Sequence, residues 1–208
     1  MSIDPTGITG STPADGSNGY EAVSKEFMSI RDNSSTGVST VRGWAESLPR
    51  GSAVLDLGCG HGIPISEALI DDGFNVYGID ASPSLIAAYS SRFPNTPVES
   101  GLIEDSQFFG RKFDGVIAWG LIFLLAPDVQ AALIHKVNLA LKPGGRFLFT
   151  APRQVCEWLD NLTGRESFSL GSDTYRKILQ SQGLVVVRET EDEGENHYYS
   201  IWKPQGHT

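Results

Sequence analysis

The hydrophobic positions of the chain alternate between two patterns, one typical of strands and one typical of helices. Short apolar runs typical of buried strands lie at residues 53–57, 75–79, 98–100, 113–118 and 146–150. Apolar residues at helical spacing separate the clearest of these runs, at residues 63–72, 83–92 and 128–141. Because parallel neighbouring strands need a crossover connection, the alternation predicts an α/β fold with a mostly parallel sheet and helices on both faces.

The two ends of the chain depart from this alternation. Residues 20–48 carry apolar side chains at helical spacing and predict two helices, with a break at residues 33–37. After a further predicted helix at 172–182, only acidic turn residues separate the apolar runs at 184–189 and 197–202, which indicates an antiparallel hairpin that closes the sheet. Residues 1–19 are polar and have no hydrophobic period. We therefore expect a flexible leader followed by a single domain over 20–208.

Composition and charge narrow the class of protein. The chain has 208 residues, of which 40% are hydrophobic and 20% charged, enough for one globular core. The formal net charge of −9 disfavours a protein that binds nucleic acid or an anionic membrane surface. Cys59 and Cys156 are far apart and form no metal-binding motif. With no apolar run long enough to span a bilayer and no secretory signal, we expect a soluble, cytoplasmic protein.

The strongest motif is the strand that runs into a glycine-rich turn at residues 56–62, with the sequence DLGCGHG. Glycines at alternate positions permit positive φ angles and let a ligand approach the backbone. Asp80 follows Gly60 by twenty residues and ends the second predicted strand, where a carboxylate can accept hydrogen bonds from both hydroxyls of a ribose. This pair of features predicts a cofactor that contains adenosine.

The residues beside the loop discriminate between cofactors. A dinucleotide fingerprint needs glycine or alanine at position 63, whereas this chain has Ile63 followed by Pro64, which lacks a backbone donor. Asp56 would repel a diphosphate, but it suits the ammonium and sulfonium groups of S-adenosylmethionine. A nicotinamide or flavin site, and an ordinary tight turn with no ligand, remain as alternatives.

Residues 56–62, the YGIDAS segment at 77–82 and the LKPGG segment at 141–145 resemble the class I S-adenosylmethionine-dependent methyltransferases, particularly the small-molecule branch that includes ubiquinone-type methylases. The resemblance covers residues 20–203. It implies a Rossmann-like, seven-stranded sheet of order 3-2-1-4-5-7-6 with strand 7 antiparallel, and an N-terminal helical lid at about 20–48. It also implies roles in cofactor binding. The residues that hold the methionine part and the ribose are then Asp56, Gly58, Cys59, Gly60, Asp80 and Ala81.

The resemblance weakens at the place where relatives hold the adenine. Many relatives have an acidic residue where this chain has Leu102. We expect Leu102 and the backbone of Ile103 to contact the adenine, with Asp105 or Ser106 as a substitute for the carboxylate. The alternative for Leu102 is a plain core leucine.

The segment after the fourth strand and the N-terminal helices supply candidates for the rest of the site. Trp119 is expected to wall a dry site for methyl transfer, although a core aromatic residue explains it equally well. Tyr20 and Arg31 resemble lid positions that cover the cofactor in relatives, where Arg31 would pair with the cofactor's carboxylate. A solvated helix face is the alternative for Arg31. No cluster of acidic residues suggests a metal ion.

The predicted terminal hairpin contains the only candidate for acid-base catalysis. If the sixth strand is parallel to the fourth and fifth, its turn reaches the rim of the site, and His197 is placed to act as a general base. Orientation of the substrate by Asn196 and His197 is one alternative, and a merely acidic, soluble hairpin is the simpler one. The sequence as a whole predicts a monomeric or homodimeric enzyme that methylates a small organic molecule by in-line transfer. The alternative is a non-catalytic module that binds S-adenosylmethionine or S-adenosylhomocysteine.

Overall fold

The computed structural model describes residues 16–205, so most of the expected leader lies outside the described residues. The strands are β1 (Ala53–Leu57), β2 (Asn75–Asp80), β3 (Val98–Ser100), β4 (Phe113–Ala118), β5 (Leu141–Thr150), β6 (Val155–Leu159), β7 (Glu166–Leu170), β8 (Val185–Glu191) and β9 (His197–Trp202). The α-helices are α1 (Ser24–Arg31), α2 (Val38–Ala45), α3 (Ile65–Asp71), α4 (Pro83–Arg92), α5 (Pro127–Ala140) and α6 (Ser172–Ser181). None of these helices is both long enough and apolar enough to cross a bilayer.

Seven of the strands form one sheet in the order β3-β2-β1-β4-β5-β9-β8. β9 is antiparallel to both of its neighbours, and the other pairs are parallel. The predicted order 3-2-1-4-5-7-6 with an antiparallel strand 7 is therefore confirmed for this sheet. The numbering differs only because β6 and β7 form a separate two-stranded sheet earlier in the chain.

Helices cover both faces of the sheet because successive strand residues point to opposite sides. On one face, α2 and α3 pack on a cluster that includes Val54, Ile117 and Tyr198. On the other face, α5 and α6 pack on a cluster that includes Leu55 and Tyr199. The central strands are buried on both faces, as is typical of parallel sheets.

The main correction to the predicted elements concerns residues 155–170, where the sequence analysis predicted no strands. β6 and β7 pair antiparallel there, between β5 and α6. β7 is joined to α5 by a hydrogen bond of 3.0 Å from Gln130 Nε2 to the carbonyl of Phe168. Two boundaries also shift: β5 begins at Leu141 rather than at residue 146, and α3 begins at Ile65, after the glycine-rich turn.

Candidate ligand-binding site

The glycine-rich loop after β1 has the backbone conformation that its sequence requires. Gly58, Gly60 and Gly62 have φ angles of 69°, 55° and 90°. A Cβ atom on Gly62 would lie 2.6 Å from the ring of Phe93, so a side chain at that position would require its neighbours to move. The backbone N–H groups of Gly58 and Cys59 donate to the carbonyl of Ile79, which ties the loop to the end of β2.

Asp80 lies beside this loop, as the spacing predicts. Its Oδ2 accepts a hydrogen bond of 2.9 Å from the N–H of Gly60, and its Oδ1 accepts one of 2.8 Å from the N–H of Ser82. Burial raises the pKa of the Asp80 carboxyl, and the two hydrogen bonds oppose that rise because they favour the ionised form. The carboxylate is thus fixed in orientation at the carboxyl end of β2.

Asp56 is the second carboxyl group of the site. It is 3% exposed and accepts a hydrogen bond of 2.6 Å from the hydroxyl of Ser66. Burial raises its pKa from 3.8 to about 7, against the opposing effect of the Ser66 hydroxyl. The protonation state of such a carboxyl depends strongly on nearby cations, because a positive charge favours the ionised form.

A cavity of about 280 Å³ lies at the carboxyl ends of β1, β2 and β4, between the glycine loop and α1. This is where open parallel sheets bind their ligands. All eleven residues predicted to bind the cofactor line this cavity. They are Tyr20, Arg31, Asp56, Gly58, Cys59, Gly60, Asp80, Ala81, Leu102, Ile103 and Trp119. Asp105 and Ser106, the predicted substitutes at the adenine position, do not line it.

The cavity wall also contains residues that the sequence analysis missed. Gly16, Ser17 and Asn18 line the cavity, although they belong to the segment predicted as a leader. Ser17 is buried, and its hydroxyl accepts a hydrogen bond of 2.9 Å from the N–H of Glu21. Small polar residues of this kind resemble a linker in sequence, so no pattern signalled them. Leu102 is 36% exposed, which argues against a plain core leucine.

Aromatic rings and one guanidinium form the wall next to β4. The guanidinium of Arg31 lies 4.4 Å from the ring of Trp119 and 5.5 Å from that of Phe27. The indole Nε1 of Trp119 donates a hydrogen bond of 2.6 Å to the hydroxyl of Tyr198. Arg31 is therefore half-buried against rings, and the alternative of a solvated helix face does not describe it.

Two anchors hold the N-terminal helix over the cavity. Glu21 accepts hydrogen bonds from the hydroxyls of Ser82 and Ser84, at 2.5 and 2.6 Å, at the start of α4. Asp32 lies 3.1 Å from Nε2 of the buried His61 and 3.2 Å from the guanidinium of Arg92. These contacts fix both ends of the N-terminal segment that contains α1.

A third contact joins the lid to the hairpin that the sequence analysis missed. The hydroxyl of Tyr20 donates a hydrogen bond of 3.1 Å to Asp160, in the turn between β6 and β7. Thr163 and Arg165, in the same turn, pack beside Gly19. The N-terminal segment, which lines the cavity, is thus held by a turn that is distant in sequence.

His197 lies outside this cavity. It is 7% exposed, its Nε2 is 3.0 Å from Glu189, and its Nδ1 is 3.6 Å from Glu191. It lines a second cavity of about 440 Å³ near the end of β5, with Phe123 and Trp158 among the other lining residues.

The two cavities adjoin at the ends of β4 and β5. Gly120 lines the first and Thr150 the second, and the N–H of Gly120 donates a hydrogen bond of 2.8 Å to the hydroxyl of Thr150. In the part of the chain that the structure describes, no group of three or more His, Cys, Asp or Glu side chains could hold a metal ion.

Comparisons with known proteins agree with this architecture. Residues 54–145 match a family model described as a methyltransferase domain. An uncharacterized methyltransferase of Synechocystis sp. is 33% identical over 113 residues, which are 54% of this chain and 53% of that protein. A sarcosine/dimethylglycine N-methyltransferase of Aphanothece halophytica is 27% identical over 188 residues, 83% of this chain and 66% of that protein. The chain thus spans about half to two thirds of the length of these curated relatives.

A solved structure supports the fold over nearly the whole chain. The 1,6-didemethyltoxoflavin-N1-methyltransferase of Burkholderia thailandensis, with its substrate and S-adenosylhomocysteine bound, is 18% identical with a TM-score of 0.68. The match covers 94% of this chain and 93% of that one. Residues 54–145 are thus similar to a methyltransferase domain, and the chain as a whole shares its fold with a solved methyltransferase.

Proposed function

We propose that the protein transfers a methyl group from S-adenosylmethionine to a small organic molecule. The observation that carries this proposal is the single cavity that unites the buried Asp56, the glycine loop, Asp80 and the Arg31 guanidinium. These groups differ in charge, since they include two carboxyl groups and one guanidinium. The structural relative from Burkholderia thailandensis holds S-adenosylhomocysteine, which favours the same ligand class here.

The residues present fit the cofactor by the chemistry of their side chains. Asp56 would take the ammonium group and Arg31 the carboxylate, since the two side chains have the opposite charges. Asp80 would accept the ribose hydroxyls with the lone pairs left over from its two backbone hydrogen bonds. Leu102 and Ile103 would contact the adenine. The bound cofactor supplies a methyl group on a positively charged sulfur.

The chain's own contribution to transfer would be to position the reactants and exclude water. In-line displacement gains up to ~7 to 11 kcal/mol from correct placement alone. Leu121, Leu124 and Leu125 give the cavity an apolar side near Trp119, which keeps water out. Two of the relatives compared above are named N-methyltransferases, which favours a nitrogen atom as acceptor.

We propose His197 as the general base that removes a proton from the acceptor, with Glu189 holding the imidazole in place. Its support is the second cavity, which His197 lines and which adjoins the first at Gly120 and Thr150. The competing account is a structural ion pair between His197 and Glu189. We also propose that the protein works in the cytoplasm, since Cys59 and Cys156 are free thiols, and that it is a monomer or homodimer.

Binding and turnover experiments test the proposal in two steps. Calorimetry should show that S-adenosylhomocysteine binds and that NAD does not, because Pro64 and Asp56 oppose a pyrophosphate. Incubation with methyl-labelled S-adenosylmethionine and a small-molecule extract should then give a labelled product. Tight binding without any product would favour the non-catalytic module, and NAD binding would refute the proposal.

A further inference from the structure

We propose that Tyr198 and Asp192 are positioning residues that fix the indole of Trp119, and through it the guanidinium of Arg31, in the wall of the central cavity. The proposal deepens the proposed function, because it rests on Arg31 as the group that holds the anionic end of the cofactor. It gives the acidic turn between β8 and β9 a role at the cofactor site.

The side chains of Asp192, Tyr198 and Trp119 form a series of hydrogen bonds in which each donor and each acceptor can be assigned. The hydroxyl of Tyr198 donates to Asp192 Oδ2 at 2.6 Å, so its oxygen is left to accept the Trp119 Nε1–H, also at 2.6 Å. Burial, together with the adjacent Asp192, raises the pKa of Tyr198 well above its usual range. The hydroxyl therefore keeps its proton at physiological pH and continues to donate.

Asp192 is itself held in place by the turn that contains it. Its Oδ1 accepts hydrogen bonds of 2.9 Å from the N–H groups of Gly194 and Asn196, and the Asn196 side-chain amide contacts both carboxylate oxygens. A carboxylate with this many donors has a fixed orientation. The turn thus provides a rigid end for the series that leads to Trp119.

Trp119 in turn sets the position of Arg31. Within residues 16–205, Arg31 makes no ion pair with a carboxylate, and the described contacts of its guanidinium are with the rings of Trp119 and Phe27. A cation stacked on an indole face follows that face when the ring tilts. Without the hydrogen bond to Tyr198, the indole would be held by packing alone.

Gly37 shows how closely the participating segments meet. A Cβ atom on Gly37 would lie 2.6 Å from the Tyr198 hydroxyl and 2.8 Å from Trp119 Nε1. The N–H of Gly37 also donates a hydrogen bond of 3.2 Å to Glu193 in the turn. The loop after α1, the end of β4 and the β8–β9 turn therefore meet at one point, and the lid is joined to the turn there.

A matched pair of tyrosine variants tests the proposal by calorimetry with S-adenosylhomocysteine. Tyr198→Phe should weaken binding about tenfold, as expected for the loss of one buried hydrogen bond that orients a ligand group. Tyr199→Phe is the control, because Tyr199 is equally buried and its hydroxyl bonds to Ser172 at 2.7 Å on the opposite face of the sheet. Its affinity should equal that of the wild type.

A double-variant cycle asks whether Tyr198 acts through Arg31. The Arg31→Ala/Tyr198→Phe protein should bind S-adenosylhomocysteine no more weakly than Arg31→Ala alone. Tyr198 acts through the Arg31 guanidinium, which the first substitution has already removed. Additive losses would overturn the proposal, as would unchanged affinity in Tyr198→Phe.

The indole N–H signals in a ¹⁵N–¹H NMR spectrum test the same series without any ligand. The Trp119 signal should move upfield and exchange faster in Tyr198→Phe. The Trp44 signal should stay, because its buried Nε1 has no hydrogen-bond partner among the described residues. An unmoved Trp119 signal would refute the positioning role. Failure of the wild type to bind S-adenosylhomocysteine would refute the proposed function while leaving this result standing.

Discussion

The carboxylate of Asp80 accepts a hydrogen bond of 2.9 Å from the backbone N–H of Gly60, so the acid that ends β2 is joined directly to the glycine loop that follows β1. Asp80 therefore has two tasks, since the same carboxylate is proposed to hold the ribose. A substitution here affects the loop and the ligand together.

Asp80→Ala should reduce the affinity for S-adenosylhomocysteine at least tenfold. The variant loses two charge-assisted hydrogen bonds to the ribose, each with a net contribution of ~1.5 to 3 kcal/mol. Asp80→Asn retains an acceptor for the Gly60 N–H. It therefore distinguishes the effect of losing the negative charge from the effect of releasing the glycine loop. The exposed Asp71, at the end of α3, provides the control variant Asp71→Ala. Equal affinities of the Asp80→Ala and control variants would mean that the ribose is held elsewhere.

Asp56 predicts a pH dependence of stability with a definite sign. Its pKa is raised from 3.8 to about 7 in the folded state, so between these values the folded protein binds more protons than the unfolded one. The contribution of Asp56 to the free energy of unfolding therefore falls as pH rises from about 4 to 7. Asp56→Asn removes this effect and should gain stability relative to the wild type over that range.

Urea unfolding of both proteins at pH 5 and at pH 8 measures the effect of Asp56. The stability of the variant minus that of the wild type should be larger at pH 8. The control substitution is Asp71→Asn, at the exposed end of α3. A pH-independent difference for Asp56→Asn would show that its carboxyl titrates normally in the folded protein.

Glu21→Gln should loosen the lid. The substitution weakens the contacts that Glu21 makes with Ser82 and Ser84 at the start of α4, where the helix dipole also favours a negative charge. Hydrogen exchange of residues 20–34 should become faster, and S-adenosylhomocysteine should restore protection. Glu26→Gln, on the exposed side of α1, is the control. Equal protection of residues 20–34 with and without ligand, in every variant, would contradict a closing lid.

Gly37→Ala should destabilise the protein more than Gly51→Ala. Both glycines have positive φ angles, of 83° and 72°, so alanine costs ~1 to 2 kcal/mol of backbone strain at either position. Only at Gly37 does the added methyl group also collide, with Tyr198 and Trp119; around Gly51 there is open space. Thermal or urea unfolding measures the stability of both variants. Similar losses of stability would mean that Tyr198 and Trp119 move aside at little cost.

His197→Ala should lower turnover by about 100-fold or more while leaving the affinity for S-adenosylhomocysteine intact, as expected for loss of a general base. The measurement needs the acceptor identified by the labelling experiment. His135→Ala, an exposed position on α5, is the control. Wild-type turnover in His197→Ala would mean that the pair of His197 and Glu189 has only a structural role.

Local signals in the sequence predicted most of the fold. Helix α4 begins at Pro83 as predicted, because the Ser82 side chain caps it by accepting a hydrogen bond of 3.2 Å from the N–H of Leu85. The β6–β7 hairpin gave no such signal. The outward-facing Val155 and Leu159 are 79% and 63% exposed, so its apolar residues do not mark a buried face.

Part of the candidate site could also be predicted from local sequence, and part of it could not. Asp56 and Asp80 could be found because the carboxyl ends of adjacent parallel strands meet, which follows from topology alone. The contact between Trp119 and Tyr198 could not, because it joins positions 79 residues apart and depends on the register of β9 against β5. Pairings of that kind are set by the assembled sheet rather than by local sequence.

The N-terminal segment forms a roof over the cavity and is held at two places, which has a consequence for the kinetics of ligand exchange. Tyr20 is bound to Asp160 in the β6–β7 turn, while Glu21, its neighbour in the chain, is bound to the start of α4. We expect a bound ligand to leave when these contacts break and the roof opens. Its residence time is then set by how often the roof opens, and ligands of quite different affinity should dissociate with similar rate constants.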